Sequence, residues 1–274
     1  MPELPEVETT RQGIAPHIVG RKVKQLVVRN ASLRWPIPSD LATQIEGQTL
    51  RSIDRRGKYL LLNFAHGTAL WHLGMSGSLR ILQGSGVQEP PAIHDHVDVI
   101  FSGNVAVRFT DPRRFGALLW TREPIGKHQL INHLGPEPLT DAFDAAYLYA
   151  RSRTRKTAIK TFIMDSKIVV GVGNIYANEA LFAAGIRPGK AAGSLTKARA
   201  ELLVSEIKKV LQKAITQGGT TLRDFTGGDG KPGYFAQQLA VYGRGGKLCR
   251  VCAGQLTETR LGNRSTVYCR VCQS

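Results

Sequence analysis

The last 26 residues contain all four cysteines of the chain, as two Cys-x-x-Cys pairs: Cys249 with Cys252, and Cys269 with Cys272. Each pair can place two thiolates on one metal ion, and two pairs complete a tetrahedral sulfur shell that is typical of zinc. Two disulfides or a redox pair are the alternatives. Because four protein ligands leave no open position, the spacing predicts one structural Zn²⁺ that fixes a β-hairpin with its tip at residues 261–264.

The charge of the chain indicates a polyanionic partner. Lys and Arg number 37 against 21 Asp and Glu, which gives a net charge of +16 and a pI of about 10. The basic residues are spread from Arg11 to Arg270, as in a folded nucleic-acid-binding protein. The start is acidic, without a secretion signal, and no run of 18 apolar residues could span a membrane. We therefore expect a cytoplasmic monomer that binds no membrane.

Residues 22–120 alternate short apolar runs with Gly-rich and polar breaks, after a helix at the start of the chain. Many short strands at this spacing predict a sandwich or barrel. The predicted strands are 22–30, 51–64, 68–72, 78–82, 97–101, 105–109 and 116–120.

Beyond residue 132 the apolar pattern becomes helical, so the fold class is α+β. The expected helices are 140–150, capped by Thr140, then 157–165, 174–184, capped by Asn174, and 194–217. Gly171-Val172-Gly173 is not a dinucleotide fingerprint, because Tyr176 replaces the third glycine. The predicted division is 1–132, a linker at 133–138, a helical domain at 139–240 and a zinc finger at 241–274.

The first residues carry a possible nucleophile. Removal of Met1 would leave Pro2 with a free secondary amine, which forms a cationic iminium with an aldehyde-like carbon. Glu3 and Glu6 share one face of a helix that starts here, and acids favour the positive helix end. A capped surface helix with a frayed start is the alternative.

Four further residues can be interpreted as structural when only their local sequence is considered. Lys58, in Arg-Arg-Gly-Lys-Tyr, and Arg264 at the hairpin tip would be solvated cations. Met75 and Phe115 would pack in the core. The segment 94–96, His-Asp-His, could hold a metal, but no third ligand is evident.

Eight segments and the two Cys-x-x-Cys pairs together resemble the formamidopyrimidine-DNA glycosylases; the segments are PELPEVET, RRGKYL, HLGMSG, HDH, TDPRRFG, VVGVGNIYANE, QGGTTLRDF and DGKPGYF. The resemblance implies an N-terminal β-sandwich with flanking helices, a helical domain with a helix–two-turn–helix element, and a zinc-finger β-hairpin. DNA would lie in a positive cleft between the domains. The related endonuclease VIII opening has Gly where Leu4 stands.

The resemblance also implies an activity on double-stranded DNA with oxidised purines or abasic sites. The enzyme would excise 8-oxoguanine and formamidopyrimidines and cut the abasic site by β,δ-elimination. Pro2 would form the Schiff base and Glu3 would supply a proton. Lys58 and Arg264 would act near the phosphates, and Glu6 would orient the site. Residues 218–242 would partly roof the lesion pocket.

The implied DNA contacts include Met75, Arg113 and Phe115, which would fill the gap left by an everted base. The remaining implied contacts are His72, His94, Arg155, Lys160, Asn174, Arg223 and Tyr242. An endonuclease VIII-type pyrimidine glycosylase and a non-enzymatic zinc-containing DNA-binding protein are the alternatives. The second explains the charge and the cysteines but not the N-terminal residues.

Overall fold

A computed structural model describes residues 2–219 and 238–274. These residues divide into two compact units, 2–132 with 217–219, and 133–216 with 238–274. Within the described ranges, no helix is long and apolar enough to cross a membrane. Arg223 and most of the segment predicted to roof the lesion lie outside the described residues.

The first unit contains two antiparallel sheets of four strands each, with strand orders β1-β6-β7-β5 and β2-β3-β4-β8. Its elements are α1 (Leu4–Ile18), β1 (Val23–Val28), α2 (Leu41–Ile45), β2 (Ser52–Arg56), β3 (Tyr59–Asn63), β4 (Thr68–His72), β5 (Ser78–Gln83), β6 (Asp95–Phe101), β7 (Val105–Thr110) and β8 (Ala117–Thr121). The predicted N-terminal sheets are confirmed; α2 was not predicted.

One hydrophobic core joins both sheets and α1. Alternate residues of β6, Val97, Val99 and Phe101, are buried in it, as are Leu60 and Leu62 of β3. This period of two is the pattern of a strand with one face on a core. Burial on this face therefore fixes the register of each strand.

The single strand predicted over 51–64 is wrong, because a two-residue turn at Gly57 and Lys58 divides it into β2 and β3. Gly57 has a φ of +58°, which glycine adopts most easily, and a type II′ hairpin turn has glycine as its first central residue. The turn places Lys58 at the end of the hairpin.

The second unit contains four helices and a hairpin: α3 (Ala145–Ser152), α4 (Ile159–Met164), α5 (Asn174–Ala183), α6 (Lys197–Thr216), β9 (Thr257–Leu261) and β10 (Arg264–Tyr268). The four predicted helices and the predicted hairpin tip are confirmed. Two predicted caps are wrong. Asp144, not Thr140, caps α3 by accepting a hydrogen bond from Tyr147 N at 2.6 Å. The residue that caps α5 is Gly173, and Asn174 is the first residue of that helix.

Candidate functional site

The amino end of α1 holds Pro2, Glu3 and Glu6, all of which are buried. Glu3 N donates to Glu6 Oε2 at 2.9 Å, and the Glu3 side chain accepts from the Glu6 backbone in a reciprocal capping box. Two carboxylates at the positive end of a helix are electrostatically favoured there. The local structure thus fixes both acids beside the residue that was predicted to be the nucleophile.

Gly219 approaches this helix start from far along the chain. It has a φ of +78°, and a Cβ at this position would lie 3.2 Å from Glu6 Oε1. A larger residue would therefore be strained and crowded. The described start of the Gly-rich segment is consequently held against one of the two acids.

Glu8 links α1 to the turn that carries Lys58. Its carboxylate accepts from Arg11 at 2.7 Å and from Arg55 at 3.0 Å, and Arg55 also donates to Gly57 O at 3.0 Å. Burial raises the pKa of Glu8, but the bonds from Arg11 and Gln12 and the Arg55 charge lower it overall. This ionised pair sets the Lys58 turn relative to α1.

His72 lies beside the same hairpin, where β4 ends. Its ring centroid is 4.9 Å from that of Tyr59, its partner on β3, and its Nδ1 accepts a hydrogen bond from Gly74 N at 3.0 Å. Burial lowers the pKa of His72 to about 4, with help from the cations Lys58 and Arg34. At neutral pH the ring is neutral and carries its proton on Nε2, which it can donate to an anion.

Two turns touch in the first unit. One turn carries Met75, and the other carries Arg113 and Phe115. A Cβ on Gly74 would lie 2.4 Å from the Phe115 carbonyl carbon, so glycine is required for this approach. Phe115 is 42% exposed, and Arg113 Cζ lies 4.9 Å from the centroid of its ring. The structure therefore brings together the two turns that carry the three residues for which the resemblance implies insertion into DNA.

The segment 94–96 is structural, except for His94, which is exposed. Asp95 accepts from Ala92 N at 2.8 Å and from Thr110 Oγ1. His96 Nε2 donates to Asp111 O at 2.8 Å, because a carbonyl oxygen only accepts. Two of the three side chains are thus occupied, which argues against a metal site here.

The four cysteines of the second unit converge. Their sulfur atoms all lie within 4.8 Å of one another, with Cys249 to Cys272 at 3.9 Å and Cys252 to Cys269 at 3.4 Å. A tetrahedron with bonds of about 2.3 Å has edges of about 3.8 Å, so the cluster fits a zinc-sized ion. All four cysteines are free, which excludes the disulfide alternative in this structure.

Two buried polar side chains attach the cysteine hairpin to the helices. Lys160 of α4 donates from Nζ to Ser265 O at 2.7 Å and to Thr266 Oγ1 at 2.6 Å. Asn178 of α5 accepts from Val267 N at 2.9 Å. Lys160 is only 1% exposed, and in this structure it supports the strand that begins with Arg264. The DNA contact that the resemblance implies for Lys160 stays a prediction.

A cavity of about 590 Å³ lies between α4 and the hairpin tip. Both Arg155 and Arg264 line it, with Arg151 and Lys167, and Asp165 is the acid in its lining. An excess of cations around an open cavity favours an anion such as phosphate. Asn174 is the first residue of α5, and its Oδ1 is buried without a hydrogen-bond partner among the described residues.

Sequence reasoning missed Glu179, a buried carboxylate on α5. It accepts three backbone hydrogen bonds, from Ala240 at 2.7 Å, Val241 at 2.9 Å and Tyr242 at 2.8 Å. It thereby fixes Tyr242 and the segment that enters the cysteine hairpin. The one charged residue in the helix 174–183 was the available signal, because a buried charge requires partners.

The described residues thus combine an N-terminal helix capped by an acid, a helical unit and a four-cysteine hairpin. Residues 1–118 match the formamidopyrimidine-DNA glycosylase N-terminal domain, and residues 134–226 match the formamidopyrimidine-DNA glycosylase H2TH domain. The chain belongs to the formamidopyrimidine-DNA glycosylase family.

Individual relatives match over their whole length. A formamidopyrimidine-DNA glycosylase of Saccharophagus degradans is 67% identical over 273 residues, covering 100% of both chains. Two solved complexes of the Lactococcus lactis protein are each 31% identical and cover 99% of both chains. The complex with abasic-site DNA has a TM-score of 0.91. The complex with DNA containing Fapy-dG has a TM-score of 0.90.

Proposed function

We propose that the chain excises oxidised purines, 8-oxoguanine and formamidopyrimidines, from duplex DNA and then cleaves the abasic site by β,δ-elimination. The observation that carries this proposal is the arrangement of Pro2, Glu3 and Glu6 at the amino end of α1. The Lactococcus lactis relative, solved with abasic-site DNA and with Fapy-dG DNA, supports the same substrate class. With Met1 attached, the Pro2 nitrogen is an amide, so the active form begins at Pro2.

In the proposed mechanism the damaged nucleotide leaves the stack, and the Pro2 nitrogen attacks C1′ of its sugar. Glu3 supplies the proton that opens the sugar ring or releases the base, and Glu6 holds Glu3 in place through its backbone N–H. The resulting iminium acidifies the neighbouring sugar carbon. Loss of a proton from this carbon expels the 3′ phosphate, and a second elimination expels the 5′ phosphate.

Lys58, His72 and Arg264 are proposed to act on the phosphates around the lesion. Lys58 sits at the end of the β2–β3 turn, and the neutral His72 ring can donate from Nε2. Arg264 lines the cationic cavity together with Arg155, which would take a further phosphate. These donors would orient the backbone and stabilise the departing phosphates.

The remaining DNA contacts in the proposal are His94, Asn174, Tyr242 and Arg223, the last of which lies outside the described residues. Met75, Arg113 and Phe115 would fill the space vacated by the lesion. The four thiolates would hold one structural Zn²⁺, which supplies no open position and fixes the hairpin that bears Arg264.

The test is incubation of the purified chain with duplexes containing 8-oxoguanine, thymine glycol or an abasic site, and with an undamaged duplex. We expect release of 8-oxoguanine, cleavage of the abasic strand and no action on undamaged DNA. Glu3→Gln should lose base release, whereas Glu123→Gln, an exposed residue, should not. Faster release of thymine glycol would favour the endonuclease VIII-type alternative. Binding without any cleavage would favour a non-enzymatic DNA-binding protein.

A further inference from the structure

Asp111 is a fully buried carboxylate between the two turns that carry Met75 and Phe115. Its Oδ1 accepts from Ser76 Oγ at 2.8 Å, and its Oδ2 accepts from Gly116 N at 2.8 Å. Each oxygen thus holds a different turn. A buried charge is retained only with such partners, so breaking either bond leaves an uncompensated group.

Ser76 adds a second connection between the same turns. Its hydroxyl donates to Asp111 and accepts from Arg113 N at 3.2 Å, so a single oxygen atom joins the residue after Met75 to Arg113. Ser76 is 6% exposed, which shields both hydrogen bonds from water. Together with the close approach at Gly74, these bonds prevent one turn from moving without the other.

The backbone of Asp111 extends the connection to the segment that bears His94. Its N–H donates to His94 O at 3.0 Å, and its carbonyl accepts from Arg114 N at 3.1 Å and from His96. Arg114 has a φ of +56°, an unfavourable conformation for a non-glycine residue. The bond to Asp111 offsets that cost and holds the Arg113–Phe115 turn in one shape.

By contrast, the side chains of these turns have little packing of their own. Arg113 and Phe115 are exposed, and Met75 is only half-buried. Their positions therefore depend on the backbone beneath them, which Asp111 and Ser76 fix. Apolar residues at positions 76 and 111 would be enough to fill the space between the turns. The polar network instead fixes the spacing and direction of the backbone that carries these three side chains.

We propose that Asp111 and Ser76 are positioning residues that make Met75, Arg113 and Phe115 enter the duplex as one rigid unit, and so determine selection of the base opposite the lesion. This inference rests on the proposed function. Arginine has only donors, and cytosine offers it two adjacent acceptors, so discrimination requires a fixed guanidinium. A loosened turn would let Arg113 adjust to adenine, and the preference for cytosine would shrink.

The test compares single-turnover release of 8-oxoguanine opposite cytosine and opposite adenine in the wild type, Ser76→Ala and the matched control Ser78→Ala. The ratio of the two rates is the readout, because a lower fraction of folded enzyme cancels from it. We expect the cytosine-to-adenine ratio to fall about fivefold or more in Ser76→Ala and to remain within twofold of the wild type in Ser78→Ala. Ser76→Thr, which keeps the hydroxyl, should recover most of the ratio.

Asp111→Asn provides an independent variant. The NH₂ group of the asparagine would face one of the two donors that now bind a carboxylate oxygen, Ser76 Oγ or Gly116 N. We expect an equal or larger fall of the ratio. An unchanged ratio in Ser76→Ala would overturn the inference while leaving the proposed function intact. No release of 8-oxoguanine by the wild type would instead refute the proposed function itself.

Discussion

Replacing Glu179 by glutamine tests how the helical unit holds its cysteine hairpin. Glu179 is 6% exposed, and its two oxygens accept three backbone N–H groups. Glutamine keeps one oxygen, which can serve Val241 and Tyr242. The amide NH₂ group of the glutamine then faces the Ala240 N–H. Because both groups are donors, no hydrogen bond forms between them. Losing one bond to a charged acceptor and leaving a buried N–H unpaired should cost about 2–3 kcal/mol.

Glu179→Ala leaves three backbone donors unpaired and should cost at least about 4 kcal/mol. Urea unfolding followed by circular dichroism at 222 nm measures both variants, because α3 to α6 all lie in this unit. With a slope of about 2 kcal/mol per molar urea, Glu179→Gln should lower the midpoint by about 1–1.5 M. The three tryptophans, Trp35, Trp71 and Trp120, lie in the other unit, so their fluorescence reports that unit separately.

Glu206→Gln is the matched control for this measurement. Glu206 also lies on a helix of the second unit, but its partner is the largely exposed Lys209 at 2.7 Å, three residues away. Such surface pairs contribute less than about 1 kcal/mol. If Glu179→Gln and Glu206→Gln shift the midpoint equally, the anchoring role of Glu179 is refuted.

Three further predictions concern the metal, the pH dependence and base selection. Cys269→Ser should lose zinc by elemental analysis and weaken duplex binding at least tenfold, with unchanged tryptophan fluorescence; normal binding without zinc would contradict this. His72 stays neutral in the folded chain down to about pH 4. The unfolded chain takes up that proton below about pH 6.5, so stability should fall as pH decreases from 6.5 to 4, by at most about 1.4 kcal/mol per unit. His72→Gln should lack that part of the slope, and identical pH profiles would refute the assignment. Arg113→Ala should reduce the preference for cytosine opposite 8-oxoguanine by about 1–3 kcal/mol, and an unchanged cytosine-to-adenine rate ratio would contradict a direct contact.

The strands and helices could be predicted where large apolar residues follow a simple period in the sequence. The alternation of apolar residues in β6 and β7 and the helical spacing of Leu203, Ile207 and Leu211 in α6 predict these elements correctly. Helix caps were less predictable where two residues of a suitable type lie close together in the sequence. Both Thr140 and Asp144 suit a cap, and only the geometry of the preceding turn decides between them.

The candidate site was predictable where motif residues act through their own side chains. The burial of Lys160 was not predictable, because a lysine in a basic segment resembles a surface cation, and only the fold shows its bonds to Ser265 O and Thr266 Oγ1. Asp111 and Glu179 were missed for a related reason. Four of their side-chain bonds come from backbone N–H groups, 5 residues away for Asp111 and more than 60 for Glu179, and the sequence does not show where such a group will lie. The remaining partner of Asp111 is the Ser76 hydroxyl, 35 residues away.

The identity of the nucleophile is the central claim, and trapping it is the most direct test. Abasic-site duplex is incubated with the chain, the imine is reduced with sodium borohydride, and the digested adduct is sequenced by mass spectrometry. We predict a single DNA-derived mass on the nitrogen of Pro2, in a chain that lacks Met1. An adduct on the side chain of any lysine, Lys58 included, or the absence of any covalent adduct, would contradict the account.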